Sequence, residues 1–173
     1  GFLYLLLFAF SYLTTPDYFR FTAIDDESDF YVTRGRTTED FQRSLKALED
    51  KNYREAIKFL ETDIRKNPTD ETIFYNHYIL GLAYLEDAEL SFIGLFPSYN
   101  KYKAEQALKN FKSAVEKNTS GKYENINLDS YFYAAKASLM LENIETAKNY
   151  LHKVIDEKGS KMDEAKIILA ELE

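Results

Sequence analysis

Apolar positions along the chain fall into two regimes. Residues Phe2 to Leu13 read FLYLLLFAFSYL without a charge, and Thr14-Thr15-Pro16-Asp17 then interrupts the run. Proline has no backbone N–H to donate and pushes its predecessor toward extended geometry, so a helix should end there. From Thr37 the spacing becomes helical. Phe41, Leu45 and Leu48 recur at four and seven after a start that resembles a capping box at Thr37 to Asp40. Asp50-Lys51-Asn52 reads as a polar turn, and Tyr53, Ala56, Ile57, Leu60 and Ile64 share a face of the returning helix, which Asn67-Pro68 stops. A second helix pair opens after Thr69-Asp70 with IFYNHYILGLAYL and returns with KAEQALKNFKSAVEKN. YFYAAKASLML and IETAKNYLHKVI form a third. Ser160 to Asp163 reads as a capped start for one more helix, carrying Ala165, Ile168, Leu169 and Leu172, with no partner after it.

The three pairs share a pattern of side-chain size. Midway along each first helix stands a small residue: Ser44, Gly81 and Ala135. Near the start of each second helix stands another, Ala56, Ala107 and Ala147, followed four positions later by Leu60, Phe111 and Leu151. Small side chains let two helices approach, and large ones fill the gap between neighbouring pairs. With NYREAIKFL at Asn52 to Leu60 and LGLAYL at Leu80 to Leu85, this arrangement resembles the tetratricopeptide repeat. The resemblance implies an all-α fold: a right-handed α-α superhelix of about three helix pairs plus a C-terminal capping helix. It departs from the family in having the expected terminal proline only at Pro68, where Thr119 and Gly159 stand in the other units.

The second unit is longer than the family period of about 34 residues by roughly 14, around EDAELSFIGLFPSYNKY. Its Phe92, Ile93, Leu95, Phe96 and Tyr99 are apolar, and we expect Leu90 to Phe96 to lengthen the helix and pack, the alternative being an exposed contact patch. Three regions follow: an apolar anchor or signal remnant over 1–15, an irregular acidic and aromatic connector over 16–36, and the repeats over 37–173. Twelve apolar residues span roughly 18 Å as a helix, short of a bilayer core of about 30 Å, so residues before Gly1 would have to complete a transmembrane helix. In the alternative, Phe2, Leu5, Leu6, Phe8 and Ala9 bury themselves against the repeats. An apolar span, a connector ending in Thr33-Arg34-Gly35 and repeats opening with Lys51-Asn52-Tyr53 resemble bacterial membrane-anchored periplasmic repeat proteins, some of them similar to anti-sigma regulators. That resemblance implies repeats outside the inner membrane.

Composition narrows the chemistry. Gly totals 6 and Pro 3, which suits helices joined by short turns. A net charge of −7, with no basic stripe, argues against a nucleic-acid partner. Cysteine is absent, which removes disulfides, thiolate metal sites and cysteine nucleophiles. Asp25, Asp26, Glu27 and Asp29 could approach Ca²⁺, but lack EF-hand spacing, and a solvated acidic loop is expected. The histidines are His77 and His152, in different repeats and with no HExxH, phosphate loop or GxSxG around them. The resemblance places His77 where the family carries a bulky residue between helices, so neither catalysis nor a metal is expected, and no cofactor is implied. Asn118-Thr119-Ser120 matches a glycosylation acceptor, which carries no meaning in a bacterial protein.

A surface remains as the working part. In the repeat family the first helix of each pair lines a concave face that grips an extended peptide or a partner's helix. Carried onto this chain, those places are Phe41, Leu45 and Leu48, then Tyr75, Tyr78, Leu82 and Glu86, then Phe132, Lys136 and Met140. Tyrosine suits such a groove because it offers a large apolar face and a hydroxyl at little entropic cost. The bland alternative stacks some of them against adjacent helices. The expected role is a membrane-tethered protein-interaction scaffold, with a regulatory sensor domain as alternative and a small-ligand binder or enzyme as a remote one. The unpaired last helix and the apolar start also leave self-association open.

Overall fold

Helix forms over nearly every stretch whose apolar residues recur at helical spacing. The structure, a computed structural model, describes residues 2–24, 30, 36–92, 95–121 and 123–173, with the backbone alone described at 91–92 and 95–97. In chain order it contains α1 (Phe2–Thr14), a 3-10 turn (Asp17–Phe21), α2 (Glu39–Glu49), α3 (Tyr53–Lys66) and α4 (Ile73–Ala88). Then come β1 (Glu89–Phe92), β2 (Leu95–Tyr99), α5 (Lys101–Lys117), α6 (Glu124–Met140), α7 (Ile144–Asp156) and α8 (Met162–Leu172). From α2 onward each helix packs on the next, and α4 also touches α6. The protein is thus an all-α array of successive helix pairs.

Residue size at the crossings explains the packing. Ser44, Ala56, Ala107, Ala135 and Ala147 are fully buried, as are Leu60, Phe111 and Leu151. A Cβ placed on Gly81 would lie 2.6 Å from the Phe111 ring, so glycine is what lets α4 and α5 close on each other. Nearly every residue of α4 is buried, and most of α6, because both are covered on several sides. By contrast α3, α5 and α7 bury one stripe and expose charge on the other.

The pairs also share their turns. Helix α2 ends with Asn52 N–H bonding Ala47 C=O (2.8 Å) and Lys51 N–H bonding Leu48 C=O, around Lys51 at φ 54°. Helix α6 ends the same way at Glu142 (φ 59°), with Asn143 N–H on Ser138 C=O (2.9 Å). Each is a Schellman ending, and in each the next residue is an asparagine that caps the returning helix. Asn52 accepts from Glu55 N–H and Asn143 from Thr146 N–H; Asn100 does the same for Lys103 ahead of α5.

Two expected starts differ. Helix α2 begins at Glu39 with Thr38 as cap residue, and the Thr38 hydroxyl does not cap it, so no capping box forms. Helix α8 follows Lys161 with no side-chain cap, and Ser160 Oγ donates to Asp129 Oδ1 (2.8 Å). The expected lengthening over Leu90 to Phe96 is also corrected. Glu89 turns extended and ends α4, and β1 pairs antiparallel with β2 through Glu89↔Tyr99, Leu90↔Ser98 and Phe92↔Leu95. Continued helix would have to absorb Gly94 and Pro97, and an interior proline costs about 3 kcal/mol. Most of the extra length is thus a hairpin standing where the other pairs have a three-residue turn.

Helix α1 does not bury itself on the repeats. Phe2, Leu5, Leu6 and Phe8 are exposed by half or more, Ala9 is exposed, and Ser11 is its buried residue. Its packing neighbour is β2. No helix among the described residues is long and apolar enough to cross a membrane.

Candidate interaction face

The first helix of each pair carries the side chains that the sequence assigns to a concave face, and the structure buries them. Phe41, Tyr75, Tyr78, Leu82, Phe132, Lys136 and Met140 are at most 4% exposed. Leu48 is buried, while Leu45 and Glu86 are partly exposed. Tyr75 sits among Phe74 and Tyr123, with ring centroids 4.3 and 5.8 Å away. Tyr78 meets Phe111 of α5 and Tyr133 of α6, each at 6.3 Å, and Tyr133 continues to Phe132 at 5.4 Å. These rings therefore link one helix to the next, and they are not laid open to solvent.

Part of their cover is the connector. Its 3-10 turn packs on α6 and α8, and Tyr18, Phe21 and Ile24 rest half-buried against the core. The Lys136 ammonium, nearly inaccessible, donates to the backbone carbonyl of Ala23 and lies 5.1 Å from the Phe132 ring. A buried cation needs an acceptor, and here a main-chain oxygen from a non-helical segment supplies it. Arg20 pairs with Glu171 of α8 at 2.7 Å. From the other side Tyr99 of β2 clasps the turn: its hydroxyl is 2.5 Å from Thr22 Oγ1, and its ring meets Phe19 edge-on at 4.9 Å. The hairpin, α6 and α8 thus hold residues 17–24 as a strap. Beside it, α1, the turn and the hairpin enclose a cleft of about 380 Å³ lined by Phe8, Tyr12, Phe19 and Tyr99.

Further along, the connector reaches the opposite end of the array. Phe30 is buried and stacks near Tyr53 at 6.3 Å. Arg36 is 1% exposed and grips Asp63 through Nε (3.0 Å) and a terminal nitrogen (2.6 Å). Its other nitrogen meets Asp70 at 2.9 Å and Thr72 at 3.0 Å. Asn76 and Asn67 also donate to the Asp63 carboxylate. Burial alone would raise the Asp63 pKa, but the bonds from Arg36 and Asn76 and the guanidinium charge overcome it and hold the group below the usual carboxylate range. Asp70 is lowered as well, first by the Thr72 hydroxyl bond.

Two of these anchors had a visible signal. Asp63 follows Ala56, Ile57 and Leu60 on the buried stripe of α3, and Lys136 stands among Phe132, Ala135 and Leu139; each is a charge on an apolar face that must find a counterpart. Arg36 and Ala23 carry no such mark.

The remaining candidates are engaged in packing. His77 is buried against α5, 2.9 Å from Asn110 Oδ1, while Asn110 Nδ2 donates to Gln106 C=O. That network places the imidazole proton on Nδ1. Burial holds the His77 pKa below its ordinary value. His152 is exposed on α7. Asn118 is buried, and its amide donates to Tyr123 C=O and Asn127 Oδ1, so its nitrogen is not presented to modification. The acidic cluster Asp25 to Asp29 and the Thr33-Arg34-Gly35 string lie outside the described residues. No protein-family model, curated protein or solved structure matches the chain.

Proposed function

We propose that this chain is a protein-interaction scaffold of the tetratricopeptide kind, its helix pairs wound into a right-handed superhelix whose inner face receives an extended segment of a partner protein. The observation that carries this reading is Lys136: a cation on the inner helix of the third pair already holds a non-helical backbone through Ala23 C=O, beside the Phe132 ring. Main-chain capture by a buried donor, with apolar seats alongside, is how a groove grips an extended peptide. A binding role also accounts for the engaged state of His77 and for the sequence's lack of a reaction motif. We test it by selecting displayed random peptides on the full chain and mapping their footprint by hydrogen exchange. Protection should concentrate on α4 and α6, and Lys136→Met should weaken binding about tenfold, as loss of a hydrogen bond to a charged group implies. Footprints on the outer helices α5 and α7, unaffected by Lys136→Met, would overturn it.

The same reading makes α1 a membrane tether that keeps the repeats outside the inner membrane of a bacterium. A helix meant to dock on protein keeps a polar side, whereas α1 exposes apolar side chains all round. Its 13 residues reach about 20 Å, so it enters the bilayer without crossing it unaided. The full chain should float with lipid vesicles, and Leu5→Asp with Phe8→Asp should leave it at the bottom of the gradient. Equal flotation of both proteins would contradict the tether.

A further inference from the structure

The described parts of residues 17–36 meet the helix pairs out of order: the 3-10 turn lies on α6 and α8, toward the end of the array, while Phe30 and Arg36 are anchored on α3, in its first pair. A mere linker between α1 and α2 has no need to visit α8. Three separate elements grip its first part: α6 through Lys136 and Ala23 C=O, α8 through Glu171 and Arg20, and β2 through Tyr99 and Thr22. The clasp from β2 also gives the hairpin a task, because the first and third pairs turn without one. Seated this way, the strap has the marks of a bound peptide. It is non-helical where Lys136 meets it, its backbone carbonyl is captured, and Tyr18, Phe21 and Ile24 supply apolar anchors.

We propose that residues 17–24 are a ligand of the inner face at its α6 end, held in cis, and that the partner taken there in trans is an extended segment of the same chemistry, with aromatic and aliphatic anchors around a carbonyl that accepts from Lys136. This rests on the scaffold reading and names the class of its partner. The partner must displace the strap, so binding is gated by how tightly Glu171 and Tyr99 hold it. A tethered ligand acts at an effective concentration of about 1 mM; for an intrinsic Kd of about 10–100 μM it lowers the apparent affinity of a competitor by about 10- to 100-fold.

The test uses the full chain and a fluorescent synthetic peptide of residues 16–36, read by anisotropy. Wild type should bind the peptide weakly. The full-length variant Phe21→Asp with Ile24→Asp, which spoils the anchors in cis and leaves the repeats intact, should bind it about 10- to 100-fold more tightly. Adding Lys136→Met to that variant should abolish the gain. A gentler release, Arg20→Glu, removes an exposed ion pair and the guanidinium over the Phe21 ring without touching the core, so it keeps the test informative if the double variant unfolds; it should strengthen binding a few-fold, and Glu171→Arg should reverse that. Equal binding by wild type and the released variants overturns the proposal. So does failure of a folded released variant to bind. If selected library peptides still footprint on α4 and α6 in that case, the scaffold stands and only the strap's identity as its ligand falls.

Discussion

Gly81 shows how much of this molecule rests on single side-chain sizes. The Phe111 ring that faces it is itself wedged against Tyr78 and Tyr133, with centroids 6.3 and 5.9 Å away, so it has little room to retreat. At an exposed helix position Gly→Ala gains about 1 kcal/mol. Here overpacking of about 1–3 kcal/mol opposes it, and Gly81→Ala should destabilise the protein by up to about 2 kcal/mol in urea unfolding. A raised midpoint would mean that α4 and α5 are not in close contact there. Buried titratable groups give a second test. His77 has a folded pKa below its usual 6.5, so the unfolded chain takes up the proton first; its contribution is complete above about pH 6.5 and is lost as pH falls through the window beneath. Asp63 and Asp70 are lowered from 3.8, so theirs is complete above about pH 4 and is lost on further acidification. Thermal melts should therefore show two descending steps, the upper no steeper than about 1.4 kcal/mol per pH unit. His77→Gln should remove the upper step and leave the lower one. At this scale the small and large positions were legible in the sequence, because packing selects size at fixed spacing. The partners of Asp63 and Lys136 were not, since Arg36 and Ala23 reach them across 27 and 113 residues.

Elements were legible where periodicity ran long and obscure where the chain turned. Helices α3, α5 and α7 emerged because each has an apolar stripe of three or four turns, and α4 and α6 because each is a long apolar-rich run. The Schellman endings of α2 and α6 carry no sequence mark, because a left-handed C-terminal residue is usually glycine, and here Lys51 and Glu142 take that conformation instead. A non-glycine residue with positive φ costs about 1 kcal/mol. Lys51→Gly and Glu142→Gly should each raise stability by about 0.5–1 kcal/mol, measurable as a higher melting temperature. A lowered one would show that these turns are not as described. The hairpin differs from the expected helix because a short apolar run does not distinguish strand from helix by period alone, and Gly94 and Pro97 disfavour a continued helix.

Across the whole molecule the stacked pairs are a consequence of each pair's inability to bury its own apolar face. What no local pattern could reveal is that a segment preceding the helix pairs packs on α6 and α8, because that contact depends on the completed array. The chain has no cysteine, so spin labels can be placed at will on Asp17 of the strap and on Ile167, which is 59% exposed on α8. The most direct measurement is the distance between labels at Asp17→Cys and Ile167→Cys in the full chain, with and without the 16–36 peptide at several millimolar, above the tether's effective concentration of about 1 mM. With the strap seated the labels should give one short, narrow distribution, which gives way to a long, broad one as peptide replaces the strap. A short distance that persists with peptide bound, or a broad distribution without any peptide, would contradict a strap held in cis and displaced in trans.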